Sequence, residues 1–197
     1  MDNFGDPGWK HHQQIAQMWG LAALRLATTP IVSFNATAYS HKLQTYVQSL
    51  HPLLPENVEG AFYEAKVQVD LKGLEEAVDN LREYATSLDS KAADLKQNPV
   101  LHSCYFGVLC VRRSRSAEIR KVNEAYLEFE RGFIGKGLPG RPIYKHVIYA
   151  PGTWEGYAGF TLPSIREALA ERRWREAKEQ VDEIAALITR AASRARF

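Results

Sequence analysis

The residues able to do chemistry are few and scattered. A metal site on a helix needs His or carboxylate side chains at i and i+4, or Cys pairs at short spacing, because only those arrangements converge on one ion. His11 and His12 are adjacent and point to different faces, His41, His51 and His102 stand apart, and Cys104 and Cys110 have no second pair. No metal site and no cofactor is expected. Phosphate-cradling and nucleophile-elbow signatures (GxxxxGK followed by Ser or Thr, GxGxxG, GxSxG) do not occur, nor does an Asp-rich diphosphate motif. Asp89, Asp94 and the Glu75, Glu76, Asp79 group have the spacing of solvated helix faces. What remains is a concentration of aromatic and cationic side chains between 137 and 163: Arg141, Tyr144, His146, Tyr149, Trp154, Tyr157 and Phe160. This set is the candidate ligand pocket. His146 is its weak candidate for general acid or base, and Arg141 is expected to pin the segment by bonding carbonyls or a carboxylate.

These residues sit on the one long stretch, Gly137 to Pro163, that neither a helical nor a strand period explains. Loops of that length in compact domains are functional or disordered, and its aromatic content argues for order. Pro139, Pro142, Pro151 and Pro163 bias the chain toward extended geometry while five glycines permit tight reversals, so an ordered strap between helices is expected. Helices must hold it. Asp6-Pro7 opens one in which Ile15, Met18, Trp19, Ala22 and Leu26 share a face, ending near Thr28 before Pro30. Tyr39, Leu43, Tyr46 and Leu50 mark a second that stops before His51-Pro52. From Val67, through Leu71, Leu74, Val78, Leu81, Ala85, Leu88 and Ala92 to Leu95, apolar residues alternate four- and three-residue steps, a bundle or dimer seam stopped by Asn98-Pro99. A fourth helix from near Ser116 carries Ile119, Val122, Tyr126, Phe129 and Phe133 at the same spacing. Ser164-x-x-Glu167 reads as a capping box starting a fifth, and a last helix from about Trp174 presents Val181, Ile184, Leu187, Ile188 and Ala191. The fold class is all-α: a helical bundle with a long ordered Pro/Gly/aromatic loop.

The strap also carries a family resemblance. Gly137-Leu138-Pro139-x-Arg141-Pro142, then Tyr144-x-His146-Val147-Ile148-Tyr149-Ala150-Pro151, then Tyr157-Ala158-Gly159, resemble the signature of the transferrin receptor-like dimerisation domain, the C-terminal helical part of glutamate carboxypeptidase-type zinc peptidases and of the transferrin receptor. Asn3-Phe4-x-Asp6-Pro7 with Lys10-His11-His12 and Ala16-Gln17, Asn98-Pro99, and the run from Tyr126 to Ile134 extend it to most of the chain. The resemblance implies a single domain over 1–197, homodimerisation, and zinc ligands that reside on a separate protease domain. It also implies a Lys-Tyr pair that helps to hold a substrate glutamate. Alignment on Tyr-Ala-Gly puts Gly156 at the lysine position and keeps Tyr157, so the charge-assisted bond to a carboxylate is lost. The segment 100–116, with both cysteines, an apolar run and a basic tail, departs from the family pattern and is an atypical insertion. It reads as a strand-like or helical excursion packed on the bundle, or as an insertion from an imperfect gene model such as a retained intron.

Composition bounds the partners. The 197 residues, 45% hydrophobic, are enough to bury a core, and a net charge of +2 gives no general pull toward nucleic acid or anionic membrane. No apolar run reaches the ~20 residues that span a bilayer, and no leader or address is visible, so cytoplasmic is only the default. The leading reading is a non-catalytic homodimerisation module in which Leu71, Leu74, Val78, Leu81, Leu88, Leu95, Ile119, Val122, Tyr126 and Phe129 form the dimer or bundle seam. One alternative is a stand-alone, metal-independent cyclase or isomerase with its pocket under the strap. Another is a fragment of a longer peptidase, working with a protease domain or a full-length relative.

Overall fold

A computed structural model of the chain describes residues 5–54, 68–98, 100–105, 109–153 and 159–194. Contacts group the chain into two compact units, Met1–Phe34 and Asn35–Phe197.

The first unit is a capped helix. The Asp6 carboxylate accepts the backbone amides of His11 (3.0 Å) and His12 (2.9 Å) and also bonds the His12 ring. A 3-10 turn over Pro7–Trp9 leads into α1, Lys10–Thr28, whose start is where Asp6-Pro7 placed it. Burial, which would raise the Asp6 pKa, is outweighed by these donors, and they hold its carboxyl far below the usual range. No residue of α1 is buried.

The second unit contains the bundle. Its helices are α2 (Ala36–Gln48), α3 (Lys72–Gln97), α4 (Ser116–Arg131), α5 (Pro163–Ala170) and α6 (Trp174–Arg194). α3 packs on α2, α4 and α6, while α5 lies on α6. The 3.5-residue repeat does its work here: Leu71, Leu74, Val78, Leu81, Leu88 and Leu95 are buried, as are Val122, Tyr126 and Phe129 of α4, and Val181, Ile184 and Ile188 of α6. Ile119 is half-buried. Leu71 is the residue before the first turn of α3, and Val67 lies outside the described residues. At Gly132, a Cβ would come within 2.7 Å of the Ala191 Cα and closer to its Cβ, so only glycine lets the end of α4 approach α6.

Three local expectations are corrected. Ser164 does not cap α5: Pro163 takes its first position, Leu162 precedes it in a left-handed conformation (φ 49°), and Ser164 lies buried inside the helix with no cap bond. The strap is not free of regular structure, since β3 (Tyr149–Pro151) pairs antiparallel with β4 (Gly159–Thr161) in the register Tyr149↔Thr161, Ala150↔Phe160. Asp89 is not a solvated face residue: its carboxylate crosses to the start of α2 and accepts the amides of Ala36 (3.2 Å) and Thr37 (2.7 Å), beside the cap that Asn35 makes to Ala38 (2.7 Å). The atypical segment is a hairpin of β1 (Val100–Tyr105) and β2 (Leu109–Ser114).

Candidate functional site

The strap is stitched to its neighbours through its backbone. The Gly135 amide donates to the Lys145 carbonyl (2.8 Å), that of Val147 to Phe133 (3.0 Å), and that of Leu162 to Ile148 (2.9 Å). Gly137 turns at φ 114°, where a Cβ would lie 2.5 Å from the Pro142 carbonyl oxygen. The fold therefore delivers Arg141 and His146 to two different places.

Arg141 faces α5. Its guanidinium donates to both Glu167 carboxylate oxygens (2.6 Å each) and to the Pro151 carbonyl (2.7 Å), and stacks 5.8 Å from the Tyr144 ring. Nη2 serves both Glu167 oxygens while Nη1 reaches Pro151, so the planar guanidinium spans two acceptors through two fixed nitrogens, which a lysine ammonium cannot do. Arg141 and Glu167 help to line an open groove of about 1010 Å³ together with Arg173, Trp174 and Glu176, so its lining carries both signs of charge. Of the five strap candidates among the described residues, only Arg141 lines it.

His146 and Tyr149 instead join a filled aromatic pile. The His146 ring stacks on Tyr149 (centroids 5.7 Å apart), Tyr149 meets Tyr46 and Tyr39 edge-on, and Tyr39 stacks on Phe133, which abuts Phe129. Both ring nitrogens of His146 are engaged. Its Nδ1 accepts the Tyr149 amide (3.2 Å), which leaves Nε2 as the protonated nitrogen that donates to Glu130 (3.1 Å). Burial, then the negative charge of Glu130, pushes the Tyr39 phenol well above the ordinary tyrosine range, and burial with the Tyr46 hydroxyl does the same for Tyr149. Such phenols stay protonated and neutral, and serve packing. Phe160 packs against Gly152, where its ring would be 2.9 Å from an added Cβ. Trp154 and Tyr157 lie outside the described residues.

A second polar centre was invisible in the sequence. Arg115, 7% exposed, bonds Glu118 through Nε (3.0 Å) and Nη2 (2.9 Å), Asp94 (2.8 Å) and the Asn98 carbonyl (3.2 Å), while Lys91 adds a second cation to Glu118 (2.8 Å). It locks the end of α3 to the start of α4 at the base of the β1–β2 hairpin. The Arg115 guanidinium, helped by Lys91, holds the Glu118 carboxyl down to about 2. Among the described residues, no group of three or more His, Cys, Asp or Glu side chains is arranged to hold a metal ion, and no helix is long and apolar enough to cross a membrane.

The remaining surface feature is α1. Ile15 (55% exposed), Met18 (68%), Trp19 (76%) and Leu26 (57%) lie on one side of it, and Leu21 and Leu24 are exposed on another. Side chains of this size at helical spacing make an exposed apolar face.

Comparison with known proteins matches residues 69–196 to the model of the transferrin receptor-like dimerisation domain. The chain belongs to that family. Among its relatives are a probable glutamate carboxypeptidase of Arthroderma benhamiae, 29% identical over 86% of this chain, and one of Zea mays, 29% identical over 91%. An inactive zinc metalloprotease of Schizosaccharomyces pombe is 26% identical over the whole chain. The chain spans only about a fifth of the length of these relatives, 20%, 22% and 23% in turn. The all-α class and the resemblance read from the strap motif agree with this membership.

Proposed function

We propose that this transferrin receptor-like dimerisation domain is a non-catalytic self-association module that pairs with a second copy of itself through α1. The observation that carries the reading is the distribution of apolar surface. The stripes of α3 and α4 are consumed inside the bundle, whereas Ile15, Met18, Trp19 and Leu26 of α1 stand exposed along one face. Two such faces packed across a two-fold axis would each be covered by the other, as an isologous interface requires. The non-catalytic part is supported by His146 and Arg141, the strap residues best suited to proton transfer and anion binding, which have their polar atoms engaged within the fold. Light scattering on the full chain over a concentration series tests it. A dimer that dissociates on dilution is expected, and a monomer up to the solubility limit refutes self-association. Hydrolysis of an acidic dipeptide by the purified chain with zinc would refute the non-catalytic part.

A second reading has its own support. Leu21 and Leu24 are 62% and 59% exposed on a different side of α1, and a helix that is apolar around most of its circumference is covered from more than one direction. The chain spans about a fifth of its relatives, so a protease domain of the kind carried by such longer proteins would supply that second cover. Titration of the chain with a separately expressed protease domain of such a relative tests it: binding that fails on Leu21→Glu is expected, and the absence of binding refutes it.

A further inference from the structure

The β1–β2 hairpin is where the chain departs from the family pattern, and the placement of its two cysteines has no part in the reading above. In the antiparallel register Val100↔Ser114 through Tyr105↔Leu109, Cys104 stands directly opposite Cys110, one pair from the end of the ladder. We propose that Cys104 and Cys110 are a redox pair that closes this hairpin as an intrachain disulfide, because the strand register sets them directly opposite each other.

Three features carry the inference. Directly opposed residues of an antiparallel pair have Cα atoms roughly 4.5 to 5.5 Å apart, and a disulfide spans Cα separations of about 4.4 to 6.8 Å. The bond therefore forms without a change of register. The two strands form a sheet of their own and have no third strand among the described residues, and a lone two-stranded hairpin is marginal in water. Finally, the hairpin is already fixed at one end. Arg115 ties its base to Asp94, Asn98 and Glu118, while the cysteine pair sits at the other end, where the strands are farthest from that anchor. Ionic closure at the base and covalent closure near the tip leave little freedom between them.

The oxidant is a low-molecular-weight disulfide such as oxidised glutathione. The thiolate of one cysteine attacks it, releasing one glutathione thiolate and leaving a mixed disulfide; the thiolate of the other attacks the protein sulfur of that adduct and releases the second. Two protein thiols are oxidised, one glutathione disulfide is reduced to two thiols, and the two protons pass to the released glutathione.

The test uses the full chain, first reduced and then incubated with oxidised glutathione, quenched with an alkylating reagent and weighed intact. The expected product has lost about 2 Da, the mass of two hydrogens, carries no alkyl groups, keeps the mass of one chain on a non-reducing gel, and regains two alkylatable thiols after reduction. Amide exchange across 100–114 should slow about tenfold or more on oxidation, the mark of suppressed local opening. Cys104→Ser and Cys110→Ser, each checked for unchanged helix content, should accumulate the glutathione adduct instead. Two thiols still alkylated after the oxidant, a bond that joins two chains, stable glutathione adducts on the parent protein, or stoichiometric zinc on the reduced pair would each overturn the proposal. None of these outcomes depends on whether α1 mediates self-association.

Discussion

Replacing Trp19 by Glu is the sharpest perturbation of the proposed interface. Trp19 is 76% exposed. A tryptophan buries roughly 150 to 250 Å² when covered, and at about 25 cal/mol per Å² complete coverage of the exposed part is worth about 3 to 5 kcal/mol. Area converts poorly to affinity at protein interfaces, so about 2 kcal/mol per side chain is the safer figure, the level of an interfacial hot spot. A two-fold dimer presents the residue twice. Losing both copies costs about 4 kcal/mol, close to a thousandfold in Kd at ~1.4 kcal/mol per decade. The assay is sedimentation equilibrium of parent and variant over the same concentrations, with far-UV circular dichroism to confirm that α1 remains helical. Lys42→Glu, at an exposed position of α2, serves as the charge control and should leave the dimer constant unchanged. A Trp19→Glu chain that dimerises as tightly as the parent refutes the assignment of α1 as the contact.

Asp89→Ala removes the reach-across cap on α2 and the acceptor of the Tyr126 hydroxyl (2.7 Å); a cap is worth about 1 kcal/mol and a bond to a charged group about 1.5 to 3 kcal/mol, so urea denaturation should show a loss of about 2 to 4 kcal/mol, and a loss within error of zero would refute the cap. Arg141→Lys keeps the charge but not the simultaneous reach of Nη2 to Glu167 and Nη1 to Pro151, and is expected to cost about 1 to 3 kcal/mol while the dimer constant stays put; a changed dimer constant would place the strap in the interface. Glu118, held at about 2 in the fold against an ordinary value of 4.5, contributes stability that is complete above 4.5 and is lost as pH falls through about 2. The urea midpoint should therefore fall across that window, and Glu118→Gln should flatten the fall without abolishing it, because Asp94 is also lowered, by Asn98 and then Arg115; an unchanged slope in the variant would refute the linkage.

What could be read in advance was what local periodicity encodes. The α3 seam was legible because its repeat runs through Leu71 to Leu95 without a miss, and the end of α1 because Thr29-Pro30 can end a helix and little else. The strap motif identified the family because its Pro, Gly and aromatic residues stand at fixed offsets. The features that escaped depend on distance in the sequence. Asp89 looks like any other polar residue between seam positions, and only the packing of α2 on α3 brings it to amides 52 and 53 residues away. The helix α5 starts where the spacing places it, but Ser164 and Glu167 fit a capping box by spacing alone, since Pro163 takes the first helical position and Glu167 is drawn away by Arg141. β3 and β4, three residues each, are too short to show an alternating pattern, and Pro151 and Gly159 argue against strands.

The same distinction separates the α3 seam from the face of α1. An apolar stripe reports that a face is covered and is silent about whether the cover belongs to the same chain. α3 and α1 carry stripes of one kind, yet the α3 residues are at most 2% exposed and the face of α1 is more than half exposed throughout. For α3 the cover is α2, α4 and α6, elements that the same 3.5-residue spacing recruits from both sides. A hydrophobic surface already buried in each protomer has nothing further to gain from a partner, since its transfer out of water is complete. Any additional stabilisation through association must therefore come from surface still in contact with water. Substitutions along the α3 seam should accordingly disrupt the protomer, and substitutions along α1 should separate protomers that remain folded.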